Sequence, residues 1–217
     1  MERSTGIKAR KLFVFLFAAS SAALIGQKNT VPLCAPDDPS LAKTELQRYY
    51  DEETQIKEQE IQAHTDYESD KLRCKGSTGS AANTCLQKAG KTLERNMAKA
   101  AIRRNNNNNV HTKATTGFAA SKDRCNVTGN SFEEQNENWR HFDALIAIKK
   151  KAIDVETKYG NAKLQCVVDA PPAPDCTKKA ETQYAKDKIQ IQIDINDENG
   201  TWTKNRTGIL RNETRPK

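Results

Sequence analysis

Apolar residues recur at positions 50, 56, 61, 67 and 72, and again at 142, 148, 153, 159 and 164. Both series advance in steps of 6, 5, 6 and 5, which is an 11-residue repeat. Eleven residues in three turns is about 3.67 per turn, so the pattern predicts long, nearly straight helices rather than a tight left-handed supercoil. The first helix is predicted to start at Asp38-Pro39, a capping residue followed by proline at the first helical position. The second should start at Ser131-Phe132-Glu133-Glu134, a capping-box pattern. Neither has an interior proline, and only Gly160 interrupts.

A shorter periodic segment follows each. Leu86 to about Arg104 places Ala89, Leu93, Met97 and Ala101 on one face, and Thr177 runs towards Ile195. Thr84 and Asp175 are their cap candidates. Ile189, Ile191, Ile193 and Ile195 alternate at strand period, but the corresponding Ala98–Ile102 reads as helix, and helix is expected for both. The spacers, Lys75–Thr84 with its glycines and serines and Val167–Asp175 with its three prolines, read as loops.

The six cysteines repeat this order. Cys34, Cys74 and Cys85 are separated by 40 and 11 residues, Cys125, Cys166 and Cys176 by 41 and 10. Lys71-Leu72-Arg73-Cys74 aligns with Lys163-Leu164-Gln165-Cys166, Tyr67 with Tyr159, Ile61 with Ile153, and Lys88-Ala89 with Lys179-Ala180. The chain therefore reads as a tandem duplication with a period of about 91 residues. The expected fold is all-α: two disulfide-closed helical hairpins packed as an elongated four-helix bundle. Bridges Cys74–Cys85 and Cys166–Cys176 would close the turns, and Cys34–Cys125 would link the repeats. The expected domains are a signal peptide (1–26), hairpin repeats at 27–104 and 125–196, an Asn-rich linker (105–124) and a polar C-terminal tail (197–217).

Composition sharpens the setting. Arg3, Lys8, Arg10 and Lys11 precede an apolar run, Leu12–Ile25, and small residues suited to cleavage, as in a secretory signal peptide. As a helix that run spans only ~21 Å, short of a ~30 Å hydrocarbon core. Its removal takes four cations and Glu2 with it, lowering the formal charge from +7 to +4. A charge of that size among mixed signs is no nucleic-acid footprint. Export to an oxidising compartment fits paired cysteines. With 6% aromatic residues and a mean hydropathy of −0.83, a large globular core is excluded and staples gain importance.

Candidate chemistry is sparse. No serine lies in a nucleophile elbow, Gly76 and Gly79 lack the lysine of a P-loop, and Asp51, Glu52 and Glu53 diverge around a helix. Glu60, His64 and Glu68 share a helix face, but their counterparts Ala152, Glu156 and Gly160 do not preserve the set. No catalytic residue, metal or cofactor is therefore expected. Sequons at Asn126, Asn199, Asn205 and Asn212 are candidate glycosylation sites. Trp139 and Trp202, which break the internal symmetry, are interaction candidates if exposed; for Trp139 packing against a neighbouring helix is an equal expectation. Lys88, Lys91, Arg95, Lys99, Arg103 and Arg104 make one helix basic; their expected role is a solvated flank of the bundle.

The function class this implies is a secreted or periplasmic, non-catalytic helical protein with a binding or spacer role, its partner a protein or envelope component. The alternative is an envelope protein anchored by an uncleaved N-terminal segment, or lying on a membrane surface through basic amphipathic helices.

Overall fold

The computed structural model describes residues 39–169 and 174–214. They form four helices: α1 (Pro39–Cys74), α2 (Ser80–Arg124), α3 (Phe132–Val168) and α4 (Cys176–Glu213). No strand occurs among the described residues, and Ile189–Ile195 is helix. The expected signal peptide, the Asp38 cap and Cys34 lie outside them.

Local signals set the starts. Pro39 opens α1. Ser131 caps α3, its Oγ accepting from the Glu134 amide at 3.2 Å, while Glu134 reaches back to the Asn130 amide at 2.8 Å. The reciprocal box is thus closed one residue earlier than the usual pattern, satisfying one free amide of the helix end and one of the turn before it. α2 starts at Ser80, before the expected Thr84 cap, so the first spacer is shorter than the sequence suggested. Gly79 adopts a left-handed φ of 62° that turns the chain, and Ser80-Ala81-Ala82 can then enter the helix directly. Asp175 sits at the α4 cap position, but its side chain makes no capping hydrogen bond.

Two expected boundaries are overturned. Residues 105–124 are not a linker; they are the C-terminal part of a 45-residue α2, about 68 Å long. Residues 197–213 are not a loose tail; they continue α4 to Glu213. Asparagine has poor helix propensity and polar tails lack an apolar stripe, but contacts to neighbouring helices outweigh a penalty of under ~1 kcal/mol per residue.

The helices pack in chain order: α1 on α2, α2 on α3, α3 on α4, with no contact between α1 and α4 among the described residues. The bundle is therefore open. α2 meets α1 through Asn107 and α3 through Asn109, side chains about 200° apart on the helix. Both turn bridges form as expected, Cys74–Cys85 and Cys166–Cys176, with Cα separations of 5.6 and 5.8 Å. Cys125 is also disulfide-bonded, while its expected partner Cys34 lies outside the described residues.

Buried apolar positions are small: Ala63, Ala89, Ala98, Ala100 and Ala120 outnumber Ile56, Val155 and Trp139. Small side chains let helix axes approach, which brings short polar groups within reach of the opposite backbone. The same contacts also recur about 91 residues on. Arg48 pairs with Glu45 and donates to Asn107; Arg140 pairs with Glu137 and with Glu198. Tyr49 packs on His111 at 4.4 Å between ring centroids, and His141 stacks on Trp202 at 4.8 Å.

In the α2–α3 turn, a Cβ on Gly129 would lie 2.4 Å from the Gln135 amide nitrogen. Gly129→Ala is expected to lower the melting temperature by several degrees, because backbone rather than a flexible side chain must move. Cys166→Ser should cost about 3 kcal/mol in urea unfolding while far-ultraviolet circular dichroism keeps its helical form. An unchanged midpoint would show that the staple contributes nothing.

Candidate functional site

The middle of α2 is where polar chemistry concentrates. All five asparagines reach a neighbouring helix. Asn107, only 3% exposed, accepts from Arg48 Nη1 at 2.8 Å and donates to the Tyr49 carbonyl and Glu53 Oε1, both at 3.1 Å. Asn108 accepts from the Tyr49 hydroxyl at 3.0 Å. On the other side Asn109 donates to Asp154 Oδ1 and Thr157 Oγ1, each at 3.0 Å. Asn105 donates to Asn161 Oδ1 at 3.1 Å, and Asn161 donates to Asn106 Oδ1 at 2.7 Å. The helical repeat distributes consecutive asparagines over opposite sides, so a single run joins α1 to α3 through α2.

Ion pairs extend this spine in both directions. Arg103 binds Glu52, and Arg104 bridges Glu53 and Glu60, the latter at 2.8 Å. Lys113 binds Asp154 and Arg124 binds Asp143, each at 3.0 Å. Between α3 and α4, Arg140 and His141 converge on Glu198, and Arg206 binds Glu134 at 2.9 Å.

These partners depress carboxyl pKa values. Hydrogen bonds from Arg48, Arg103 and Arg104 hold Glu45, Glu52 and Glu60 below the ordinary range, and Arg140 does the same to Glu137. Burial pushes Glu198 upward, but Arg140 and His141 outweigh it and the net shift is down. Glu134 is lowered first by the Asn130 amide and then by Arg206.

The residues singled out in the sequence take other roles. Trp139 is not exposed: it is 5% accessible, with Arg124 4.9 Å from its ring centroid, and its Nε1–H finds no acceptor among the described residues. Packing against α2 is what buries it. Trp202 is half-buried, stacked on His141, and donates to Asn138 Oδ1 at 2.9 Å. Both indoles serve helix packing rather than an open surface. Glu60 is committed to Arg104, not to His64, and among the described residues no three His, Cys, Asp or Glu side chains are gathered as metal ligands. Ala89 is buried, Leu93 and Met97 half-buried, and Arg103 and Arg104 are spent on α1.

Asn126 is exposed in the α2–α3 turn. Asn199, Asn205 and Asn212 are exposed within α4, where Asn205 also donates to Glu137 at 3.2 Å. Of the four sequons, Asn126 has the loop setting that carbohydrate attachment favours.

What remains open to a partner is the outer faces. On α1, Tyr50, Ile61 and Leu72 are 58%, 66% and 66% exposed. On α4, Ile189 and Ile193 are exposed, followed by a shallow groove past Gly200, Lys204, Gly208 and Arg211. The 11-residue pattern explains the bare face. Its alternate steps carry 50, 61 and 72 to one side of the helix and 56 and 67 to another, and among the described residues α1 has a neighbour only for the second set. In α3, flanked twice, the matching Phe142, Ile153 and Leu164 are all half-buried. No helix among the described residues is long and apolar enough to cross a membrane. No protein-family model, curated protein or solved structure matches the chain.

Asn107→Ala should cost roughly 1–3 kcal/mol, because Arg48 and Glu53 lose a buried partner. Asn108→Ala, at an exposed site, should stay within about 0.5 kcal/mol. Chemical denaturation of the two variants tests the contrast. For pH, the lowered folded-state pKa values mean that the unfolded chain takes up protons first. Stability from these carboxylates is fully present above their unfolded value of 4.5 and is lost as pH falls through the folded values. Urea midpoints should hold from pH 7 to about 5 and then decline.

Proposed function

We propose that the protein is exported from the cytoplasm and works as a non-catalytic spacer or binding element, a stapled helical ribbon that offers long faces to a protein or envelope partner. The observation carrying this reading is the pair of turn disulfides, on a chain whose first 26 residues read as an export signal. Four helices of 36 to 45 residues provide roughly 54–68 Å of reach from very little core. The charged side chains that cluster do so in pairs that neutralise one another within helices and across their seams, which suits a scaffold. The grooves run along helix surfaces. The largest exposed apolar groups lie on the outer helices, where a partner would meet them.

Expression with the native N-terminus in a secretion-competent host, followed by intact mass measurement, tests the export step. The expected product begins near residues 23–27 and carries three disulfides. A product retaining Met1 in the membrane fraction would favour the anchored alternative instead.

A further inference from the structure

The bare faces of α1 and α4 correspond to the two faces that meet where α2 packs on α3. The cysteine register continues into the helices' far ends. Thr112-Lys113-Ala114-Thr115-Thr116-Gly117 in α2 matches Thr203-Lys204-Asn205-Arg206-Thr207-Gly208 in α4. In α2 this segment lies on α3: Lys113 binds Asp154, and Lys150 Nζ lies 3.2 Å from where a Gly117 Cβ would stand. In α4 the matching Lys204 and Gly208 are exposed. The α3 surface that receives α2 matches, 92 residues earlier, the exposed surface of α1. Ile153 becomes Ile61, Thr157 becomes Thr65 and Asp143 becomes Asp51, all exposed.

We propose that the α4 face of one molecule docks on the α1 face of a second copy, repeating between chains the packing that joins α2 to α3 within one. This names the partner in the spacer reading above and rests on it. Charge favours the pairing. Glu58 takes the place of Lys150, so an acidic group meets Gly208 with Lys204 and Arg211 alongside, each one turn or less away. Gln62 replaces Asp154, and Glu58, one turn earlier, supplies the carboxylate that Lys204 would otherwise lack. In this register Leu72 comes opposite Ile193, and Ile61 comes opposite Gly200, where its side chain has room. Because the two faces differ, the contact is head-to-tail, and it extends the row of helices from molecule to molecule.

The test uses the purified, oxidised full-length mature chain with single substitutions Glu58→Cys and Gly208→Cys. Both sites are exposed, and a Cβ at Gly208 meets nothing within 4 Å. With a short bismaleimide, which spans the space the Lys150 side chain fills between α3 and Gly117, a mixture of the two variants should give cross-linked dimers, and the doubly substituted chain a ladder of oligomers. Each single variant alone should remain predominantly monomeric. Dimers from Glu58→Cys alone would reveal an α1-to-α1 contact and overturn the proposal, as would the absence of cross-links in the mixture. In sedimentation, Ile61→Asp, at a position 66% exposed and so without consequence for folding, should weaken self-association at least about tenfold. A wild-type chain that stays monomeric at all concentrations would also refute it. The mass of the same preparation reports export separately, so failure of one reading is not mistaken for failure of the other.

Discussion

The structure depends on a single helix satisfying polar groups on two opposite sides. α2 offers α1 a strip of alanine, arginine and asparagine and offers α3 a strip of asparagine, lysine and glycine. Neither neighbour touches the other's partner strip, and α1 and α4 do not meet. Without α2 in register, Arg48, Glu53 and Asp154 would each lose a cross-helix partner. Buried polar groups left in that state carry a high cost, whereas a fully connected set specifies one alignment. Register between long, smooth helices is otherwise weakly determined, and an alanine-rich seam would tolerate sliding.

Stability then comes from several modest sources. The buried apolar set is dominated by alanine, so hydrophobic burial per residue is low. The cross-helix ion pairs are partly exposed and individually weak. Disulfides at both hairpin turns restrict the unfolded chain. The arrangement suits a molecule whose length and surface matter more than an interior.

An open row of helices has two ends, and this one carries apolar groups on both. In a closed bundle the set 50, 61 and 72 would face a neighbour, as its counterpart in α3 does. Here the same 11-residue pattern is written into both helices although only α3 has neighbours on both flanks. Among the described residues, the pattern specifies two contacts on a helix that makes one.

Much of the architecture was legible in the sequence. Helical periodicity, the Ser131 cap, the proline at position 39 and both turn bridges follow from local rules about spacing, capping and loop closure. The five asparagines and the residues from 197 onward were not legible. Their propensities point away from helix, and their hydrogen-bond partners, Tyr49, Asp154, Asn161 and Glu137 among them, lie dozens of residues away. Trp139 was open between surface and packing for a similar reason: its position opposite Gln47 in the other repeat marks a difference, but only the α2–α3 packing decides that the ring is buried. By itself the sequence determined which segments coil and where they are pinned, since those depend on neighbours within a turn or two. The tertiary structure alone decided which of two apolar faces each helix buries, because that depends on how many helices stand beside it.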